Sequence, residues 1–545
     1  MKNRYWKLLL LLVIFSGLFL RLWQINSFPP LNRDEAAIGY NAYSILKTGR
    51  DEWGEFLPLP FKSFGDYKMP GYIYLTILPV KFFGLNKFSV RFWSGVSGVI
   101  AVIVFYFLTK WICEQLQFKK IKSKYLAVVA VLILIFNPWH VYFSRMGFEA
   151  NLALTCFLGA LTIFLYGLKR RWLLPIAALG FVSNLYIYSS GFIFLPFFLS
   201  VLGLLFIKDL FRKVDKWLII AGLILLVGCV HASWSVWQVS LAKTNITIFS
   251  DPGISDEFNH LRFEVFQESP LWARFWLNKP FYYGRLFLKN YLKSFSPKFL
   301  IISAGSHPWH QIPGMGHFYW TDILFMIIGL VAFWRLKIKR VKYLLGSWLL
   351  LAPLPSAITV DAPHATRMLQ IMPVIIITMV LGIGFLWNFL NSQKQKIRSG
   401  AIWIFIICYW LQISGFGYLY LVNYSQNLPK SLLPGIDQAI YWITKQKEQR
   451  KIIFSNPLDF PYIYVAFYEK LDPKLVQERA IWKPPDLAKM TAIESVGEYR
   501  FWEGIHDPGE KAFYVLQGEA RAPDGFSLTK EFKQGENVWW RIYVN

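Results

Sequence analysis

The sequence predicts an α-helical polytopic membrane protein ending in a small extracytoplasmic α/β domain. Three observations carry that prediction. Hydrophobic residues make up 55% of the 545 and the mean hydropathy is +0.36, too apolar for a water-soluble globule. Long apolar runs recur between Trp6 and Leu421, separated by short basic segments, the pattern of repeated membrane crossing. Beyond Leu421 hydropathy drops, and charges, prolines and short alternating runs take over.

The apolar runs predict about eleven spans, near 6–23, 90–110, 125–139, 150–168, 172–187, 191–207, 217–236, 321–336, 343–359, 368–390 and 400–421. The first runs directly into Arg21 without a small-residue cleavage site, so a retained anchor is expected rather than a signal peptide. The stretch 71–84 is treated differently. At about 1.5 Å per residue it reaches roughly 20 Å, short of the ~30 Å hydrocarbon layer. If it crossed, the basic loops 117–124, 169–171, 208–216, 335–342 and 392–398 would lie opposite the N-terminal Lys2 and Arg4. As a juxtamembrane helix along the surface it leaves all of them on the cytoplasmic side.

The expected domains are therefore a transmembrane domain over 1–421, with external loops 24–89 and 237–320, and an extracytoplasmic α/β domain over 422–545. In the latter, a helix is expected near 435–447 and strands at 451–455, 512–516 and 538–543. The chain is expected in the cell membrane, N-terminus inside and C-terminus outside.

Charge and cysteine usage exclude other classes. The net charge of +25 comes from lysines and arginines concentrated in the short loops, the positive-inside signature and not a nucleic-acid face. Cys113, Cys156, Cys229 and Cys408 lie in or beside apolar runs without paired spacing, which argues against a disulfide framework or a cysteine metal site. No Gly-Lys-Ser/Thr phosphate loop, Rossmann glycine fingerprint or nucleophile elbow occurs.

The chemistry-bearing residues fall on the predicted outer face. Asp34 and Glu35 follow the first span, where an acid pair is costly to bury and is placed for chemistry or ion binding. Lys68, just before Met69 and Pro70, is placed to hold an anionic headgroup. Arg145 and Glu149 are four apart and would share a helix face. His364 and Arg367 sit in a short loop with Asp361 and Pro363, and arginine favours phosphate through its planar fork. The bland alternatives are a dipole-favouring first helical turn, an interfacial lysine and a structural ion pair. The loop 237–320 adds Arg285, Lys289 and Lys293, and then His307, His310 and His317, whose spacing matches no zinc pattern. Asn245 and Asn423 open matches to the glycosylation acceptor pattern.

Four segments together resemble a known family: Arg33-Asp34-Glu35-Ala36 after the first span, Gly65-Asp66-Tyr67-Lys68-Met69-Pro70, Phe88-Ser89-Val90-Arg91 opening the second, and Ser144-Arg145 with Glu149. In that order and topology, residues 1–420 resemble the membrane-embedded C-type glycosyltransferases. The nearest branch is family 39, with the protein O-mannosyltransferases and lipid A aminoarabinose transferases. The resemblance implies a polyprenyl-phosphate sugar donor, an extracytoplasmic protein, lipid or glycan acceptor, and inverting transfer. It implies Asp34 as general base with Glu35 beside it, Glu149 as the second acid, and Lys68, Arg91, Arg145, His364 and Arg367 at the donor phosphate. Two positions depart from the family pattern: Met69-Pro70 replaces Pro-Pro, and Glu149 replaces an Asp. No cofactor is required on this reading and no metal is expected, because fixed cations do the charge work. Expected partners are the lipid-linked donor, the acceptor and membrane lipid, with no nucleic acid. The rival reading is a transporter or flippase with an external sensor domain, which should carry midplane charges or broken helices in related halves.

Overall fold

The computed structural model of the chain describes residues 2–64, 66–118, 121–240, 247–268, 271, 276–305, 307–446, 450–455, 460–485, 490–502, 511–518, 520–522, 524–534 and 537–545. Gly65, Lys119, Lys120, Asn245, Ser306 and Lys447, all used in the sequence reading, lie outside them. The chain divides into two compact units. The first holds Met1–Trp23, Ser94–Ser144 and Phe148–Tyr420; the second holds Gln24–Trp93, Arg145–Gly147 and Leu421–Asn545. The second unit thus joins the segment Gln24–Trp93 to the C-terminal region.

The first unit is built from apolar helices. Among the described residues, six are long and apolar enough to cross a membrane: Lys87–Leu116, Glu149–Gly167, Gly191–Phe211, Lys216–Trp237, Ile371–Leu390 and Gln395–Gln426. The chain is a multi-pass membrane protein. A further expected span is broken. Ser123–Phe136 and Pro138–Arg145 meet at 57°, because the Pro138 ring cannot continue the helix before it. The other expected spans are shorter: Arg171–Ile187, Trp320–Trp334, and Lys339–Leu351 followed by Leu354–Ala357, where Pro353 and Pro355 interrupt the run. Lys2–Leu22 covers the first expected span. Within the expected loop 237–320 the chain forms helices Pro252–Glu268 and Lys279–Lys293.

Close packing in this unit depends on small residues, since lipid offers helices no hydrophobic drive to associate. Helix Trp320–Trp334 packs along Ile371–Leu390, and their backbones touch where Gly329 faces Gly382. A Cβ on Gly382 would lie 2.6 Å from the Gly329 nitrogen and 2.8 Å from the Phe325 carbonyl oxygen.

The second unit is a seven-stranded mixed sheet with helices packed about it. The order is Ile481–Trp482, Ile493–Val496, Tyr499–Trp502, Lys451–Ser455, Ala512–Gln517, Asn537–Val544, Ser527–Gln534. The central strand Lys451–Ser455 runs parallel to both neighbours, and the remaining pairs are antiparallel. Strands at 451–455, 512–516 and 538–543 and the helix at 435–447 thus appear as Lys451–Ser455, Ala512–Gln517, Asn537–Val544 and Ile436–Gln446. Helix Pro461–Tyr468, wholly buried along Pro461–Phe467, packs against helix Arg33–Thr48. Helix Pro70–Phe83 packs on Arg33–Thr48 as well. It is the helix expected over 71–84, started by Pro70 at a position that needs no N–H donor.

Adding one methyl at the Gly329–Gly382 contact forces the two backbones apart. Gly382→Ala should lower stability by about 1–3 kcal/mol, read as a drop in the thermal midpoint of the full-length protein in detergent. Gly222→Ala, where nothing lies within 4 Å of the new Cβ, should not.

Candidate active site

The sequence Asn32-Arg33-Asp34-Glu35 encodes a helix start. Asn32 is the N-cap of Arg33–Thr48: its Oδ1 accepts from the Glu35 N–H at 2.8 Å, and Glu35 Oε2 accepts from the Asn32 N–H at 3.2 Å. Both acids therefore sit in the first turn, where the helix dipole favours negative charge. Their surroundings then diverge.

Glu35 is wholly buried. Its Oε1 accepts from Arg91 Nε at 2.6 Å and from the Gly147 N–H at 2.6 Å, and its Oε2 accepts from Arg91 Nη2 at 2.8 Å. Arg91 is equally buried and donates its other N–H groups to the carbonyls of Ile25, Pro29 and Pro30, at 3.0, 2.8 and 3.0 Å. All five guanidinium donors are thus engaged. This differs from the expectation for both residues: neither presents a face to an acceptor or a donor phosphate, because each is saturated by the other and by backbone. Gly147 is what lets its own N–H reach the carboxylate, since a Cβ there would lie 3.2 Å from Glu35 Cγ and 3.0 Å from Val90 Cγ1.

Asp34 points the other way. Its side chain is 34% exposed and pairs with Lys68 Nζ at 3.1 Å. Lys68 is placed by a short antiparallel hairpin, Phe61–Ser63 with Asp66–Lys68, in which Phe61 pairs with Lys68. Buried Phe61 and Phe64 anchor the hairpin, and the Arg33 guanidinium lies over the rings of Phe64 and Phe460 at 5.6 and 5.1 Å. In the same unit Arg145 is buried and donates through Nη2 to the Phe28 carbonyl at 3.3 Å.

A further acid pair, in the acidic stretch 48–54, is buried here. Glu52 is fully buried, accepting from Asn41 Nδ2 at 3.0 Å and from the Tyr462 hydroxyl at 3.4 Å. Burial pushes its carboxyl up to about 8, against the Asn41 hydrogen bond, with the neighbouring Asp51 charge adding to the rise. Asp51 is pushed up to about 6 by burial, opposed by the N–H groups of Glu55 and Trp53. Nothing in Arg50-Asp51-Glu52 marks these acids as buried; only the fold packs Asn41 and Tyr462 over them.

Glu149, His364 and Arg367 belong to the first unit. Glu149 opens helix Glu149–Gly167, whereas Arg145 closes helix Pro138–Arg145. The expected shared helix face does not exist, because the chain leaves the helix at Met146-Gly147-Phe148. His364 and Arg367 do come together, through Asp361 rather than through a helix start, since the next helix begins only at Ile371. Asp361 Oδ2 is 3.2 Å from His364 Nε2, and Oδ1 pairs with Arg367 Nη1. Behind them the Tyr188 hydroxyl donates to Thr366 Oγ1 at 2.8 Å, and Thr366 Oγ1 lies 2.7 Å from His364 Nδ1. Burial, with the Arg367 charge, holds His364 well below the usual imidazole range.

Two predictions follow from this geometry. Removing one partner of the saturated pair strands a buried charge, so Arg91→Ala should destabilise by about 3–5 kcal/mol; Glu35→Leu combined with Arg91→Met should recover much of that loss in a thermal melt. Glu52 titrates at about 8 in the fold against an ordinary 4.5, so the folded chain binds the extra proton between those values. Its contribution to stability is full below pH 4.5 and is lost as pH rises through about 8. The thermal midpoint should therefore fall from pH 5 to pH 9, and Glu52→Gln should flatten that slope.

No protein-family model matches this chain, and no curated protein matches it in sequence. Solved structures do. The crystal structure of ArnT from Cupriavidus metallidurans bound to undecaprenyl phosphate aligns over 99% of this chain and 98% of its own, at 12% identity and a TM-score of 0.50. The archaeal oligosaccharyltransferase AglB from Archaeoglobus fulgidus, in complex with an inhibitory peptide and a dolichol-phosphate, aligns over 86% of this chain at 12% identity and a TM-score of 0.50. This chain spans 64% of the length of AglB. Both are similar to it in architecture, and both have the C-type glycosyltransferase fold. That fold, an apolar helical body with a C-terminal sheet region, is the fold of this chain.

Proposed function

We propose that this protein is an integral membrane glycosyltransferase that transfers a sugar from a polyprenyl-phosphate donor to an extracytoplasmic acceptor, with inversion at the anomeric carbon. The observation that carries the reading is the contrast between two adjacent acids. Glu35 is locked inside the Arg91 pair, while Asp34 stands partly open beside Lys68. A general base must reach the proton it removes, and a neighbour must hold it there. Asp34 meets both needs. The fold adds support, because it is shared with proteins whose structures hold undecaprenyl phosphate and a dolichol-phosphate.

In the mechanism, Asp34 takes the proton from an acceptor hydroxyl as its oxygen attacks the anomeric carbon. The bond to the lipid phosphate breaks with its electrons going to that oxygen, and Lys68 neutralises the charge that develops. Phosphate is a good leaving group, so no general acid is invoked, and fixed cations do the work a metal does elsewhere. The Lys68 ammonium now engages Asp34, and the arriving phosphate competes for its donors. Glu35 and Arg91 position the first turn rather than touch substrate. From the resemblance, Glu149 is the second acid, and Arg145, His364 and Arg367 are further phosphate-binding groups, each to be tested by its own substitution. The basic loops face the cytoplasm and the chemistry takes place on the opposite side.

Purified protein in detergent, offered a panel of polyprenyl-phosphate sugars, should bind a donor and turn it over. Asp34→Asn should cut turnover by about 10²–10⁴-fold while donor binding persists, and Lys68→Ala should weaken donor binding. Absence of binding to every lipid-phosphate sugar would overturn the reading.

A further inference from the structure

Within the second unit, the segment Gln24–Trp93 and the C-terminal region enclose a cavity of about 310 Å³, at the small end of the ~300–1,000 Å³ that ligand pockets occupy. Its apolar wall is aromatic, built from Phe28, Phe532 and Trp539. Trp539 owes its place to a β-bulge. Phe532 pairs with Trp540 and Lys533 with Val538, so Trp539 is the extra residue of strand Asn537–Val544. Neighbours on a regular strand face opposite sides, yet here Trp539 and Trp540 are both buried. Trp540 donates its indole N–H to the Pro434 carbonyl at 3.0 Å. Trp539 is 6% exposed, and its Nε1 has no hydrogen-bond partner among the described residues. Packing alone does not account for that nitrogen, because buried polar groups are nearly always bonded.

The polar wall offers both signs of charge. Lys87 Nζ and Asp437 Oδ2 pair at 2.9 Å, and Gln438 follows on the first turn of helix Ile436–Gln446. Lys533, the other cation on the wall, pairs with Glu531 at 3.6 Å. Paired charges suit neither a phosphate nor a cation, because one member of each pair repels it. They suit vicinal hydroxyls, each of which donates one hydrogen bond and accepts others. An aromatic surface beside such groups takes the C–H face of a pyranose, and an indole adds one N–H donor at its edge. We propose that this cavity binds a mono- or disaccharide, with Lys87, Asp437 and Gln438 on its hydroxyls and Trp539 supplying a ring and a donor. The transferase reading enters only in the role assigned to it: the bound saccharide is the glycan part of the acceptor.

The test uses the full-length protein in an amine-oxide detergent, because maltoside detergents carry a sugar of their own. Neutral hexoses, N-acetylhexosamines, uronic acids and their disaccharides are titrated by calorimetry. At least one should saturate a single site. Trp539→Phe keeps a ring and removes the N–H, and should weaken that binding about tenfold; Gln438→Ala should do about the same. Lys530→Ala, exposed on strand Ser527–Gln534 and outside the cavity, should leave it unchanged. The proposal is overturned if no sugar binds, if Trp539→Phe binds as tightly as the wild type, or if glycerol phosphate or a short peptide saturates the site and no sugar does. Should the variants fail to fold, the wild type decides: a diazirine analogue of the bound sugar should label strand Asn537–Val544 or helix Ile436–Gln446, and labelling confined elsewhere removes the site. Sugar binding by a protein that takes no lipid-phosphate donor leaves the site standing and removes only its acceptor role. Transfer from such a donor without sugar binding here overturns this inference alone.

Discussion

The second unit is organised around one buried ion pair. Taking a carboxylate and a guanidinium out of water costs several kcal/mol per ion, and the attraction between them offsets that only when the remaining donors and acceptors are satisfied. Glu35 and Arg91 meet the condition with backbone from segments far apart in sequence: Asn32, the carbonyls of Ile25, Pro29 and Pro30, and the Gly147 N–H. The pair thereby ties the start of helix Arg33–Thr48 to the start of helix Lys87–Leu116. Because the two acids are adjacent, fixing Glu35 inward fixes the direction in which Asp34 leaves the helix. A sealed ion pair and a partly exposed carboxylate are two outcomes of one helical turn.

The first unit meets a different constraint. Its helices are apolar on most sides, so burial of apolar surface does not select their partners in lipid. Selection falls to shape and to the few polar groups. Gly329 and Gly382 allow two backbones into contact, and Asn151 Nδ2 donates to the Ser94 carbonyl at 2.8 Å. At the end of this unit where the chain turns through 361–370, Asp361 joins His364 to Arg367, and Tyr188 and Thr366 back the imidazole. Such a network is stable because each member has a partner.

Much of this organisation was legible in the chain. Hydropathy located helices such as Glu149–Gly167, Gly191–Phe211 and Ile371–Leu390, because a helix in lipid must be apolar over a fixed length. Alternation and turn residues located the strands Lys451–Ser455, Ala512–Gln517 and Asn537–Val544. The order of the motifs pointed to the fold. Breaks were harder to read: Pro138, Pro353 and Pro355 lay inside runs whose hydropathy alone implied uninterrupted spans. The expected Arg145–Glu149 face failed for a related reason, since spacing of four implies contact only if the helix continues.

What the sequence determined by itself was the class of the molecule and the placing of its apolar helices, which follow from local composition and spacing; Asp34 and Lys68 were assigned to one site by resemblance alone. Only the tertiary structure decided which acid of the pair is sealed and which is open. It also decided that Arg91 serves Glu35. The physical reason is that burial and pairing are set by residues distant in the chain. Arg91 lies next to Glu35 only once the two helix starts have packed, and no periodicity within either segment records that meeting.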